Sequence, residues 1–97
     1  MAFICHATWT VKEGNMPAVL DALRNVAPAS RAEPGARFYQ PYRDPAEPNV
    51  VRLFEVYDDE AAFKAHCASD HFKKWVLGTA VPLLEDRVRA LYETIDA

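Results

Sequence analysis

Between Val50 and Tyr57 the chain carries apolar groups on both faces of one extended run. Its β-branched and aromatic content marks a strand. Successive strand side chains point to opposite faces, so Val50, Arg52, Phe54 and Val56 project one way and Val51, Leu53, Glu55 and Tyr57 the other. A sheet built around such a strand has an apolar surface on each side and must be covered on both. Helices from the same chain can cover one face. The other face then needs a partner.

The rest of the sequence supplies the helices in an order that fixes the topology. Residues 3–12 alternate Phe3, Cys5, Ala7, Trp9 and Val11 against Ile4, His6, Thr8 and Thr10, the period of a first strand. Asn15 stands at an N-cap position, Pro17 in the first turn, and Met16, Val19, Leu20, Leu23, Val26 and Ala27 recur at helical spacing, predicting a helix over about 16–32 that bends or ends near Pro28. After the Glu33-Pro34-Gly35 break, residues 36–43 form a second strand in which Pro41 implies an edge or a bulge. The Asp44 to Asn49 turn makes strands two and three a hairpin. Asp58 or Asp59 caps a short helix with Phe63, His66 and Cys67 on one face, and Ser69 or Asp70 caps another with Phe72, Trp75, Val76, Thr79, Ala80 and Leu83 as its buried stripe. Residues 87–95 alternate as a final strand. The order β-α-β-β-α-β, with the second helix split, is the ferredoxin-like α+β arrangement. Two such sheets stacked through their open faces make a dimeric α/β barrel.

At 97 residues the chain is one domain, residues 1–97, too small to bury much more than about 60–65% of its unfolded surface, which again favours a homodimer. Eleven basic against fourteen acidic side chains offer no field for nucleic acid. No apolar run reaches the ~20 residues of a membrane span and the N-terminal residues have no signal-peptide pattern, so a cytoplasmic protein is expected. Cys5 and Cys67 form no C-x-x-C pair and are read as reduced, buried thiols.

Chemistry-bearing residues gather between Glu55 and Trp75. His66 lies beside Phe63 on an apolar helical face and points toward the sheet, either as a satisfied core histidine or as an acid/base group facing a pocket. His71 flanks the next helix's buried stripe, where it is free to stack on Trp75 four residues on, or is simply exposed. Glu55, between Leu53 and Tyr57, has a raised pKa if buried without compensation; Arg87, Arg89 and His6 are the cations in reach, and a structural ion pair is as consistent as a catalytic one. His6 alone is given no role. His66 and His71 are offset by five across a helix break, not the four that aligns two imidazoles on one helix, so no metal is expected. Cys67 and His66, being adjacent, diverge and make no nucleophile–base pair. No phosphate-binding glycine loop is present.

The strand-one ending Val11-Lys-Glu-Gly14, the Glu33-Pro-Gly35 turn, the Glu55-Val-Tyr-Asp58 strand end, the helix Ala62-Phe-Lys-Ala-His66 and the following Ser69-Asp-His-Phe72 together resemble the antibiotic biosynthesis monooxygenase family, the last two being the specific part. The resemblance spans essentially the whole chain. It implies a small dimeric protein of a family whose members include cofactor-free monooxygenases of phenols and quinols, an isomerase of phosphorylated signalling sugars, and haem-degrading enzymes. The haem degraders use an asparagine, a tryptophan and a ligating histidine where this chain has Ala7, His66 and Val76, so haem degradation is disfavoured. What the resemblance implies here is oxidation of a quinol-like aromatic by dioxygen without a cofactor, with His66, Glu55 and His71 as catalytic groups and Trp75, Phe63 and Tyr57 as substrate walls. The alternatives are an isomerase of an enolisable metabolite, which needs the same proton shuttle, and a non-catalytic dimeric ligand-binding or stress-associated domain.

Overall fold

A computed structural model describes residues 1–95. Its strands are β1 (Phe3–Val11), β2 (Ala36–Tyr42), β3 (Val50–Tyr57) and β4 (Leu84–Glu93). They form one antiparallel sheet in the order β2-β3-β1-β4, so the ferredoxin-like α+β arrangement read from the sequence is the fold. β2 is an edge strand, as Pro41 requires. The helices α1 (Met16–Arg31) and α2 (Glu60–Cys67), with a π-helical segment Phe72–Ala80 and a short 3-10 turn Val81–Leu83, cover one face.

Register decides which side chains meet. Cys5 of β1 lies opposite Glu55 of β3 and Leu91 of β4, Ala7 opposite Leu53 and Arg89, and Trp9 opposite Val51 and Arg87. All of these face the helices. The core there joins Ala7, Trp9 and Val11 to Val19, Leu23 and Val26 of α1, to Val51 and Leu53, and to Phe72, Val76 and Ala80. Full burial of a side chain such as Leu23 or Val26 contributes roughly 1.5–3 kcal/mol. On the opposite face Phe38, Val88 and Tyr92 are exposed and Ile4, Phe54 and Val56 half-buried.

Three local expectations change. α1 runs to Arg31, close to the expected limit of about residue 32, and so does not take the option of ending near Pro28. Proline there removes one backbone donor in the last turns, a loss limited to a single bond, and the helix continues past it, where the Ser30 hydroxyl donates to Val26 O at 2.8 Å. The second half of the split helix is π-helical: Val81 N–H donates to Val76 O and the Thr79 hydroxyl to Lys74 O, each five residues back. β4 begins at Leu84 rather than at residue 87 and ends at Glu93 rather than at residue 95. Asn15 occupies the α1 cap position without a side-chain bond, whereas Asp59 caps α2 through Ala62 N–H at 2.8 Å. Gly35 lies where a Cβ would come within 2.5 Å of Ala62 Cβ, so the break before β2 can approach α2 only as glycine.

Candidate functional site

That close approach places Glu33, in the break before β2, against the end of α2. His66 is 1% exposed, and its Nδ1 lies 2.8 Å from Glu33 Oε2. The same carboxylate oxygen lies 2.5 Å from His71 Nε2. One oxygen accepting from two rings fixes the donors, Nδ1–H on His66 and Nε2–H on His71. Ser69 sets the relative placement of the rings: its hydroxyl donates to His66 O at 2.7 Å and accepts from Phe72 N–H at 3.2 Å, tying α2 to the π-helical segment.

The His66 ring is walled by Tyr39, Tyr57 and Phe72, with centroids 5.6, 5.4 and 5.1 Å away. Its free nitrogen, Nε2, faces Glu55 Oε1 at 3.7 Å, within ion-pair range though too long for a hydrogen bond. Glu55 is buried, and Tyr57 donates its hydroxyl to Oε1 at 2.6 Å. Burial pushes the Glu55 carboxyl above its ordinary pKa, and the Tyr57 bond, the His66 ring and Arg89 oppose the shift without cancelling it. Burial and the Glu55 charge raise the Tyr57 and Tyr39 hydroxyls well above the tyrosine range, so both remain donors. A continuous polar chain therefore runs Tyr57–Glu55–His66–Glu33–His71 from the sheet to the surface, where the His71 side chain is 23% exposed.

Glu55 also lines a cavity between sheet and helices, with Cys5, Trp9, Tyr39, Phe63, Arg87 and Arg89 among its walls. Its volume is about 10 Å³, room for roughly one water. Trp9 Nε1 and Arg87 Nε, both buried on this lining, have no hydrogen-bond partner among the described residues. Burial and the neighbouring Arg89 charge pull Arg87 below its ordinary pKa. Arg89 is the exposed wall, its guanidinium 5.7 Å from the Phe63 ring centre. Burial pushes the Cys5 thiol up to about 12, which leaves it inert. A wider cleft of about 390 Å³ lies between α1 and β2, lined by Leu23, Arg24, Arg31 and Tyr42, but no histidine or buried carboxylate reaches it.

Of the residues singled out in the sequence, His66, Glu55, His71 and Tyr57 come together in the polar chain, and of these Glu55 alone lines the cavity, where Phe63 is a further wall. Trp75 does not: it packs on the flank of the main core, and Lys74 Nζ lies 4.8 Å from its ring centre. His71, read as free to stack on Trp75 or as simply exposed, is instead partly buried and bonded to Glu33. His6 is on the other sheet face, bonded to Tyr42 OH at 2.6 Å, and so is no partner for Glu55. His66 and His71, set apart by their offset of five, converge because the chain turns at Ser69. Sequence reasoning missed Glu33 and Trp9, and named Arg87 only as a cation in reach of Glu55, not as an unpaired donor on the cavity. Only the placement of Glu33 beside a Pro-Gly break hinted at the first.

The sequence profile described as antibiotic biosynthesis monooxygenase matches residues 2–77. The chain belongs to that family. Among solved structures, protein SO0527 from Shewanella oneidensis is 31% identical, with 94% of this chain and 88% of that one covered and a TM-score of 0.88. A crystal structure of an antibiotic biosynthesis monooxygenase is 25% identical over 99% of this chain and 100% of that one, at 0.89. Rv0793 from Mycobacterium tuberculosis, 21% identical over 100% and 98%, shares the fold at 0.91. No curated protein matches the sequence. Membership in this family makes the chain monooxygenase-like in general character.

Proposed function

We propose that this protein oxidises a quinol-like or phenolic aromatic with dioxygen, without a cofactor, at the cavity that Glu55 lines. The observation that carries the reading is a buried carboxylate of raised pKa sharing a cavity with two unpaired buried donors, Trp9 Nε1 and Arg87 Nε. A general base works best with a pKa near the operating pH, and burial moves Glu55 in that direction. Trp9 and Arg87 suit the oxygen of a developing phenolate, where desolvated donors act strongly.

Glu55 takes the phenolic proton, and His66 behind it stabilises the proton-bearing pair while Tyr57 holds Oε1. The aromatic anion passes one electron to dioxygen, and the resulting radical pair recombines at a ring carbon to give a hydroperoxide. Loss of water leaves a carbonyl where a C–H stood. One oxygen atom stays in the product and the other leaves in water. Excluding bulk water protects the radical pair, which suits a closed cavity that the substrate opens by displacing Arg89. The apolar outer face of the sheet, with Phe38, Val88 and Tyr92, suits a second copy of the chain stacked upon it.

The two donors would serve an enolate equally well, so isomerisation of an enolisable carbonyl compound is the second reading. Oxygen uptake by chelator-treated, flavin-free protein with a naphthohydroquinone, corrected for autoxidation, separates them. Saturable uptake lost in Glu55→Gln and reduced in His66→Ala is the expected result. Uptake no faster than the blank refutes the oxidation, and uptake that appears only on adding metal refutes the cofactor-free part.

A further inference from the structure

Glu33, His66 and His71 come from three different elements, the break after α1, α2 and the residue that opens the π-helical segment, and they bring one carboxylate oxygen and two imidazole nitrogens within 4.8 Å of one another. We infer that these three side chains form a binding site for a divalent transition-metal ion such as Zn(II), Co(II) or Fe(II). Two imidazoles and a single carboxylate are a donor set for borderline metals, whereas magnesium and calcium need mostly oxygen. Three protein ligands leave further coordination positions open, as in sites that exchange water or small ligands.

The surroundings support the assignment independently of the three ligands. A metal-bound histidine ordinarily gives its second ring nitrogen to a carboxylate that orients it. Here His66 presents Nδ1 to the site and Nε2 to Glu55, and Glu55 is itself held by Tyr57 at 2.6 Å. The ring cannot turn away, packed as it is among Tyr39, Tyr57 and Phe72. Access comes from the opposite side, through the His71 and Glu33 side chains, which are 23% and 15% exposed. Glu33 Oε2 closes onto the two nitrogens at 2.8 and 2.5 Å. An ion held by bonds of about 2.0–2.1 Å separates neighbouring ligands to roughly 3.0–3.4 Å, which a small swing of the partly exposed Glu33 and His71 side chains provides. None of the three ligands lines the cavity proposed for the aromatic. The ion would reach that cavity only through His66, fixing its Nε2–H toward Glu55.

Titration of the chelator-treated full chain with Co(II), followed by calorimetry and by the visible absorption of the bound ion, tests the site without any substrate. One Co(II) per chain is expected, with a rise in Tm. His71→Ala and Glu33→Ala should weaken binding at least about 100-fold, Glu55→Gln by roughly 10- to 100-fold because it touches only the far ring nitrogen, and His6→Ala not at all. Paramagnetic shifts of the His66 and His71 imidazole protons, with those of His6 unmoved, give a readout that requires no variant. Absence of binding, affinity unchanged in both His71→Ala and Glu33→Ala, or dependence on His6 overturns the proposal. Oxygen uptake failing in the chelator-treated protein leaves this outcome unaffected, so the two readings fail separately.

Discussion

Tyr57→Phe removes one hydroxyl from a fully buried ring and so isolates what supports the Glu55 charge. The hydroxyl donates to Glu55 Oε1 at 2.6 Å, and no solvent can replace it. A hydrogen bond to an ionised group is worth about 1.5–3 kcal/mol, and one between neutral groups about 0.5–1.5 kcal/mol. Because the folded-state pKa of Glu55 lies above its ordinary 4.5, the folded protein binds more protons than the unfolded chain between those two values. Stability therefore declines as pH rises from the unfolded pKa through the folded one. Tyr57 limits that decline by favouring the carboxylate. Its loss should cost least at pH 4, where Glu55 is largely neutral in both states, and more as pH rises and the carboxylate ionises. With roughly 4–8 °C of Tm per kcal/mol for a domain of this size, the expected drop is roughly 6–24 °C where Glu55 is ionised in the folded protein and about 2–12 °C at pH 4. Thermal unfolding followed by circular dichroism at a series of pH values measures it. In a Glu55→Gln background the cost of Tyr57→Phe should no longer vary with pH. A drop that is flat with pH in the wild-type background, or one that grows equally with pH in the Glu55→Gln background, would refute the reasoning.

Gly35→Ala sets a Cβ 2.5 Å from Ala62 Cβ and should cost about 1–3 kcal/mol in urea unfolding, with much of it recovered by adding Ala62→Gly; an unchanged midpoint would count against the close approach. Arg87→Met removes a buried donor without a partner, so kcat/KM for an aromatic substrate should fall roughly 10- to 100-fold while Tm holds or rises. A parallel loss of Tm would make Arg87 structural. In a Cys67→Ser chain, Cys5, whose thiol is pushed up to about 12 and is 1% exposed, should release no colour from an aromatic disulfide reagent at pH 8 until the protein is unfolded. Rapid reaction in the native state would contradict its burial.

The strands were legible because their period of two is written in short runs such as Val50–Tyr57, and α1 because Val19, Leu23 and Val26 repeat at its spacing. The π-helical segment was not, since Phe72, Val76 and Ala80 are apolar at a spacing that α and π turns share, and only the backbone bond to the fifth residue separates them. Glu55, Tyr57 and His66 could be placed on faces, which was enough to bring them together. Glu33 could not, because its position depends on the pairing of β2 with β3 and on the missing side chain at Gly35. The convergence of His66 and His71 was hidden for a related reason: sequence offset describes one helix, and these two residues lie either side of a turn.

The π-helical segment carries a consequence for how chains of this kind can vary in length. Nine residues, Phe72–Ala80, cover a path that needs fewer in an α-helix, which has fewer residues per turn and rises further with each. A single-residue deletion among the exposed positions Lys73, Lys74, Leu77 and Gly78 can be taken up by narrowing one turn, leaving Phe72 and Ala80 seated in the core and His71 still on Glu33. The segment is a reserve of slack, placed where neither the sheet register nor the polar chain behind Glu55 has to move when the count changes.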